Sequence, residues 1–545
     1  MRYLAILYIL WYFLFSPETA AGQSVFWVGF TDKAESSFST AHPLEFLSER
    51  SVERRIRQNI AVTEEDLPVN NEYADQIRQS GATILYALRW MNGVVVKAGN
   101  DSLQKVWEDF PFVREIEMVR PHSPETKSAR NKFGHPGGVI PMDTSYYGLS
   151  AHQVGQLNGH YFHSQGMEGQ GMLIAVLDAG FYKANLMPAL SHLYVSGRIA
   201  GIRDFVNPGS DVYLEHEHGT MVLSTMAGLI PGQLVGTAPA ASYLMIRTED
   251  ASSEYRIEEF NWIAGAEYAD SIGADIINSS LGYSDFDDPS MNYRYSDMDG
   301  MTTRVTRGAN MAADRGILVF SSAGNEGLTE WKHIVAPADG TEVIAVGAVD
   351  SERKYATFSS MGPGAGGLVK PDLAAMGRGT AVQSSFGSVV PRSGTSFASP
   401  VMAGMAACLW QANPDVPAAE IRRIMQIAGH QHNKPDHLLG YGIPDMHLAH
   451  MILNQFNVPD DPAANSWTLF PNPFSDRITL IPETAINRKT DFEVFTLSGQ
   501  LMERFSEYTG SYTRTFRLAH LTPGVYLIRI STENTSEVHK LVKSQ

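Results

Sequence analysis

Cysteine is all but absent from this chain. Among 545 residues there is one, Cys408, which rules out an internal disulfide framework and any cysteine-rich metal site. It lies in the apolar run Met405-Ala-Ala-Cys408-Leu-Trp410 and reads as a small core residue rather than a nucleophile. An excess of positive charge is missing too. Lys and Arg number 42 against 59 Asp and Glu, a net charge of −17, which argues against nucleic acid or an anionic membrane as partner. Long apolar runs are missing everywhere but at the start. There Arg2 precedes Tyr3 to Phe15, followed by Pro17 and small residues up to Ala20-Ala21-Gly22. That run is too short to span a bilayer comfortably, and residues 1–22 have the three-part pattern of a secretory signal peptide. No permanent transmembrane segment is expected.

What the chain does have is length and 43% apolar residues. Single cores stop growing at roughly 250–300 residues, so several domains are expected. Residues 23–120 are the first. Val25 to Phe30 reads as a strand, and within Glu45 to Ile60 the apolar Leu47, Val52 and Ile56 stand at about helical spacing. Beyond Pro68 the pattern runs helix (72–79), strand (83–88), strand (93–98), helix (102–109) and strand (113–119). That order is β-α-β-β-α-β, a ferredoxin-like α+β domain. Residues 121–144 follow as a linker. Its stretch from Pro121 to Gly138 is polar, basic and rich in Pro and Gly, a composition that exposes backbone to cleavage; an ordinary interdomain tether is the alternative.

Between 145 and 455, apolar runs at 172–177, 242–247, 275–280, 317–322 and 342–349 alternate with helical stretches at 220–229, 257–271 and 303–315. Such alternation predicts a doubly wound, mostly parallel α/β sheet whose site collects at the carboxyl ends of the strands. Asp178 closes the first of these strands, His218 opens a helix and Asn325 follows a strand. The fourth polar residue is Ser396, in Arg392-Ser-Gly-Thr-Ser396-Phe-Ala-Ser-Pro400. Small residues before it permit a sharp turn, and the Ala-rich run to Gln411 predicts a buried helix beginning at the serine.

Singly, each of these four suits a cap or a turn. Jointly, each in a motif that contains glycine, they supply what acyl transfer needs. A serine hydroxyl needs a neutral imidazole to take its proton. A buried carboxylate fixes the imidazole tautomer, and an amide donor meets the tetrahedral oxyanion. The pair His216-x-His218 also suits zinc, but no third ligand stands at a recognisable spacing and no metal is expected.

After a second linker at 456–466, residues 467–545 hold short strands at 478–481, 492–497, 513–518 and 524–530. Regular short strands with turn signals predict a β-sandwich, for which a carbohydrate-binding or adhesive role is one reading.

From about 170 to 430 the sequence resembles the subtilisin-like serine proteases, the subtilase or peptidase S8 family. The motifs are Val-Leu-Asp178-Ala-Gly, His218-Gly-Thr-Met-Val, Ser279-Ser-Leu-Gly282, Ser-Ala-Gly-Asn325-Glu-Gly, Lys370-Pro-Asp372 and Ser393-Gly-Thr-Ser396-Phe-Ala-Ser-Pro. The order Asp, His, Ser is the family's own. The resemblance implies Ser396 as nucleophile, His218 as general base and acid, Asp178 as orienting carboxylate and Asn325 as oxyanion donor. It implies Ser280, Leu281 and Gly282 as the segment that pairs with extended substrate. Ala179, Met221 and Ala374-Ala-Met-Gly377 depart from the family pattern without touching a reacting atom. Calcium binds many relatives, but no acidic loop here identifies a site, and no cofactor is required.

The resemblance further implies that 23–120 is a propeptide that assists folding and blocks the cleft, with self-processing in the linker. Phe470-Pro-Asn-Pro473, Thr496-Leu-Ser-Gly499, Leu521-Thr-Pro-Gly-Val-Tyr526 and Lys540-Leu-Val-Lys543 resemble the C-terminal sorting domain of the type IX secretion system. Expected partners are therefore protein or peptide substrates, the chain's own propeptide and the secretion machinery, at or beyond the cell surface. An esterase, or an idle binding or adhesion protein that keeps the fold, are the competing readings.

Overall fold

Val25, Phe26, Trp27, Val28 and Phe30 are β-branched or aromatic and all are buried, the signature of a strand inside a sheet rather than at its edge. The computed structural model describes residues 23–99, 102–122, 132–133, 135–136, 146–454, 467–482, 488–497, 499–509, 514–532 and 536–544. The secretory signal read at 1–22 lies outside them, as do the linker at 456–466 and most of the linker at 121–144. The chain divides into two units, one formed by residues up to Ser37 with Pro68–Glu125, the other by Phe38–Leu67 with everything from Thr126 onward.

The chain begins with β1 (Ser24–Phe30), α1 (Glu49–Arg57), α2 (Asn71–Gln79), β2 (Thr83–Leu88), β3 (Gly93–Ala98), α3 (Leu103–Glu108) and β4 (Val113–Arg120). All but α1 belong to the first unit. Its sheet has the order β2-β3-β1-β4 with antiparallel neighbours throughout, which is the ferredoxin-like arrangement expected. Phe26, Val28, Phe30, Ile77, Val94, Val96 and Trp107 form its core. Asn70 caps α2, its side chain accepting from the backbone of Glu72 at 2.7 Å and Tyr73 at 3.3 Å.

The second unit is built on β5 (Leu173–Asp178), β6 (Ile199–Asp204), α4 (His218–Ala227), β7 (Ser242–Arg247), α5 (Ile257–Ile272), β8 (Ile276–Ser279), α6 (Arg304–Asp314), β9 (Leu318–Ser322), β10 (Ile344–Val349), β11 (Leu373–Met376) and α7 (Thr395–Gln411). The sheet order is β11-β10-β9-β8-β5-β7-β6, parallel at every pairing. The strand order reverses between β5 and β8, where a crevice opens at the carboxyl ends. Asp178 ends β5 and Ser279 ends β8, so both stand at that crevice. Helix α7 is buried from Thr395 to Trp410, and its lack of a polar face is what a helix through the core requires. Cys408 is wholly buried there and its thiol lies 3.1 Å from the Thr237 carbonyl oxygen. Burial pushes that thiol's pKa up, consistent with a packing role.

Residues 467–544 form two antiparallel sheets. One contains Trp467–Phe470, Arg477–Pro482 and Arg514–Arg517; the other contains Arg488–Thr496, Leu501–Thr509, Gly524–Ser531 and Ser536–Lys543. Ile478, Leu480 and Phe516 from the first meet Phe492, Val494, Ile528, Ile530 and Leu541 from the second in one core, as a sandwich demands. Among the described residues, no helix is long and apolar enough to cross a membrane.

Candidate active site

Two glycines bring the aspartate and histidine motifs together. Gly219, next to His218, packs so closely that a Cβ there would lie 2.4 Å from the Gly180 carbonyl oxygen and 3.0 Å from Asp178 Cβ. Its N–H donates to that same carbonyl at 3.0 Å. Only glycine permits this approach. As a result His218 Nδ1 and Asp178 Oδ1 are 2.8 Å apart, both side chains fully buried. Asp178 Oδ1 also accepts from the Ala179 N–H at 2.8 Å. Among the described residues His218 Nε2 has no partner, so the carboxylate fixes one ring nitrogen and leaves the other available.

Helix α7 starts one residue earlier than the sequence pattern predicts, at Thr395, with Gly394 as its cap residue. Ser396 is thus the second helical residue. Its N–H belongs to the first turn, which has no carbonyl four residues back to bond, and faces the positive end of the helix dipole. Asn325 substitutes for a side-chain cap. Its Oδ1 accepts from the Thr395 N–H at 2.9 Å and the Thr395 hydroxyl at 3.1 Å, which turns its amide nitrogen to the other side.

Pro400 sits in the next turn and has no N–H to give the Ser396 carbonyl. The Ser280 hydroxyl donates to it instead, at 2.8 Å. Asn278 completes the brace, donating to Ser280 Oγ at 3.1 Å and accepting from Ser399 Oγ at 2.8 Å. Sequence reasoning missed Asn278 and Thr395, because nothing in a strand asparagine or a helix-start threonine announces a partner 70 or 121 residues away.

Ser396, Asn325, Ser280, Leu281 and Gly282 line one cleft of about 500 Å³. Ser396 Oγ lies 3.4 Å from the Ser280 carbonyl oxygen. Its hydrogen bond to His218 is not formed, although Phe397, the next residue, has its ring 5.7 Å from the imidazole. The second histidine, His216, accepts the His218 N–H on Nδ1 at 3.2 Å, and burial followed by His218 lowers its pKa.

The cleft also holds part of the chain's own linker. Lys132 and Phe133 line it, and the Phe133 ring lies 4.4 Å from that of His216 and 4.7 Å from that of His218. His135–Pro136 pairs antiparallel with Arg392–Ser393, the strand leading into α7. Lys132 Nζ reaches Glu249 Oε1 at 2.8 Å and Glu258 Oε2 at 3.4 Å, and pairs with Glu254 as well. Burial opposes the charge on Lys132, yet Glu249, Glu258 and Glu254 outweigh it and raise its pKa. Burial and Glu249 in turn push Glu254 up to about 8, and Glu258 rises for the same reasons. These glutamates, too, were missed in the sequence. The signal was there: all three fall between the end of one predicted strand and the first turn of the following helix.

The family model for the subtilase family matches residues 169–442, half of the chain. The model for the peptidase S8 propeptide domain of Bacteroidota matches 25–133, and that for the secretion system C-terminal sorting domain matches 468–544. Subtilisin E of Bacillus subtilis is 31% identical over 51% of this chain and 64% of its own length. Subtilisin of Bacillus pumilus is 31% identical over 51% of this chain and 88% of its own length. Serine protease AprX of Bacillus subtilis is 28% identical over 48% and 62%. The chain therefore spans just under two thirds of the length of several of these relatives. Among solved structures, MycP1 from Mycobacterium smegmatis aligns with a TM-score of 0.44 and 18% identity, covering 59% of this chain and 89% of that one. The chain belongs to the subtilase family, and it carries an S8 propeptide domain and a C-terminal secretion sorting domain.

Proposed function

We propose that this chain is a secreted serine endopeptidase, made as a precursor that cuts its own linker. One observation carries the reading: a buried Asp178–His218 hydrogen bond of 2.8 Å whose imidazole keeps Nε2 free beside the start of the helix that bears Ser396.

Rotation of the Ser396 side chain away from the Ser280 carbonyl brings Oγ to Nε2, and catalytic hydrogen bonds of this kind commonly tighten only with substrate bound. Oγ attacks the peptide carbonyl carbon while its proton passes to Nε2, and Asp178 stabilises the resulting imidazolium. The oxyanion accepts from the Ser396 N–H and from the Asn325 amide. Collapse of the tetrahedral intermediate breaks the C–N bond, the amine leaves with the proton from His218, and water repeats the sequence to release the acid. Ser280-Leu281-Gly282, at the end of β8, offers backbone to an extended peptide.

The linker supports self-processing, since Lys132 and Phe133 stand in the cleft and His135–Pro136 pairs with the strand that leads to Ser396. The bond broken lies between Phe133 and His135, and the propeptide match ends at Phe133. The test is Ser396→Ala beside the wild type. The wild type is expected to hydrolyse casein and to show a new amino terminus within 134–135. The variant is expected to do neither and to keep the propeptide attached. Maturation of purified Ser396→Ala would overturn the assignment.

A further inference from the structure

Two carboxylates that line the cleft, Glu249 and Glu254, and a third buried beside them, Glu258, take no part in the chemistry above. Glu249 lies two residues past β7, Glu254 in the loop that follows and Glu258 in the first turn of α5. Their exposures are 3%, 9% and 0%, and oxygens of all three lie within 4.8 Å of one another. Like charges gathered in a buried space oppose one another's ionisation, so the arrangement needs a cation. The chain supplies one itself, in the Lys132 ammonium. Besides the three glutamates, Lys132 Nζ reaches the carbonyl oxygens of Ser253 and Asp250.

We propose that Glu249, Glu254 and Glu258 form a specificity pocket that selects a lysine or arginine side chain of the substrate, and that Lys132 is its first, tethered occupant. This rests on the endopeptidase reading of the same cleft.

Three observations carry it. The acidic cluster and the nucleophile share one cleft, for Glu249, Glu254, Lys132, Asn325 and Ser396 all line it. Lys132 precedes Phe133, whose ring lies against His218, so Lys132 is second or third from the broken bond on its acyl side. The acceptors also outnumber the donors. An ammonium has three N–H groups and meets five oxygens, while among the described residues no N–H or O–H donor reaches the buried Glu254 Oε1 and Glu258 Oε1. A guanidinium has five donors and suits the same set, so arginine is accepted as well as lysine. Tyr283 holds Glu249 in place, its hydroxyl donating to Oε2 at 3.0 Å. When the linker is cut and Lys132 departs, the buried carboxylates are left for an incoming basic side chain.

The test uses mature enzyme prepared from the full chain and quenched peptides that copy the linker around Lys132, with Lys, Arg, Ala or Glu at that position. Lys and Arg peptides are expected to be cleaved with kcat/KM on the order of 100-fold above the Ala peptide, because a buried polar site rejects a substrate that leaves it unpaired. The Glu peptide is expected to be the poorest. Glu258→Gln, close in shape and unable to ionise, is expected to cut the preference to roughly tenfold or less. Equal rates on Lys and Ala peptides by an enzyme that cleaves casein would overturn the pocket and leave the protease reading intact; failure on every substrate would overturn that reading instead. Titration of the mature enzyme with Ca²⁺ provides the remaining arm. Tight binding lost in Glu258→Gln, with no Lys preference, would make the cluster a metal site and end the proposal.

Discussion

Ser280 shows how much of the site depends on side chains that never meet the scissile bond. Pro400 deprives the Ser396 carbonyl of its helical donor, and the Ser280 hydroxyl takes that place at 2.8 Å. Ser280→Ala is expected to leave this carbonyl buried and unpaired, a loss of about 1–3 kcal/mol. Urea unfolding of the variant measures that loss. Its kcat is expected to fall with KM little changed, since the brace fixes the start of the helix that bears Ser396; an unchanged urea midpoint would contradict the role. Asp178, His218, Asn325 and Ser396 were readable in the sequence as candidates because each lies within two residues of a glycine in a short local motif. Asn278 and Thr395 were not, because their meaning lies in partners distant along the chain.

Among the elements, four of the strands that escaped the sequence pattern lie at sheet edges. Ile199–Asp204 and Leu373–Met376 are the two edges of the parallel sheet, and Leu501–Thr509 and Ser536–Lys543 are the two edges of the larger sandwich sheet. Three of the four interleave charged residues, which discourage pairing with other chains and break the apolar run, whereas Leu373–Met376 is buried and apolar but only four residues long. Helix α1 misleads in the opposite way. Leu47, Val52 and Ile56 have helical spacing, but Ile56 is 72% exposed while Arg54 and Arg55 are wholly buried. Arg54 pairs with Asp270, Arg55 with Asp66 and Asp270, and Arg315 with Asp66. Hydropathy cannot reveal a face buried through ion pairs.

That network has a pH dependence. Burial works to raise the Asp66 pKa, but Arg315 and Arg55 outweigh it and hold it below 3.8. A depressed carboxylate adds stability above its unfolded value and loses it as pH falls through the folded one. In Ser396→Ala precursor, the urea midpoint is expected to drop as pH falls below about 4, and Arg55→Met is expected to flatten that drop. Arg55→Met, which leaves two buried carboxylates short of a partner, is expected to cost about 3–5 kcal/mol at neutral pH. A variant as stable as its parent would mean that α1 is held by packing alone.

At the scale of the whole molecule, the question is whether the C-terminal sandwich serves catalysis or transport. Its core is drawn from residues 467 to 541 alone, whereas every residue lining the cleft lies between Lys132 and Ser396. The two depend on different parts of the chain, and the sorting-domain match covers the sandwich almost end to end. The separation argues that removal of 467–545 spares hydrolysis and abolishes export. Leu497, partly buried, packs against the hydrophobic core around the parallel sheet, so a modest loss of thermal stability is expected with the deletion. Purified truncated enzyme is expected to cleave casein at the wild-type rate. Expressed in a host with type IX machinery, it is expected to accumulate behind the outer membrane, as read by fractionation and immunoblot. Truncated enzyme in the medium would deny the sandwich its sorting role, and truncated enzyme that folds but cannot cleave would tie the sandwich to the site after all.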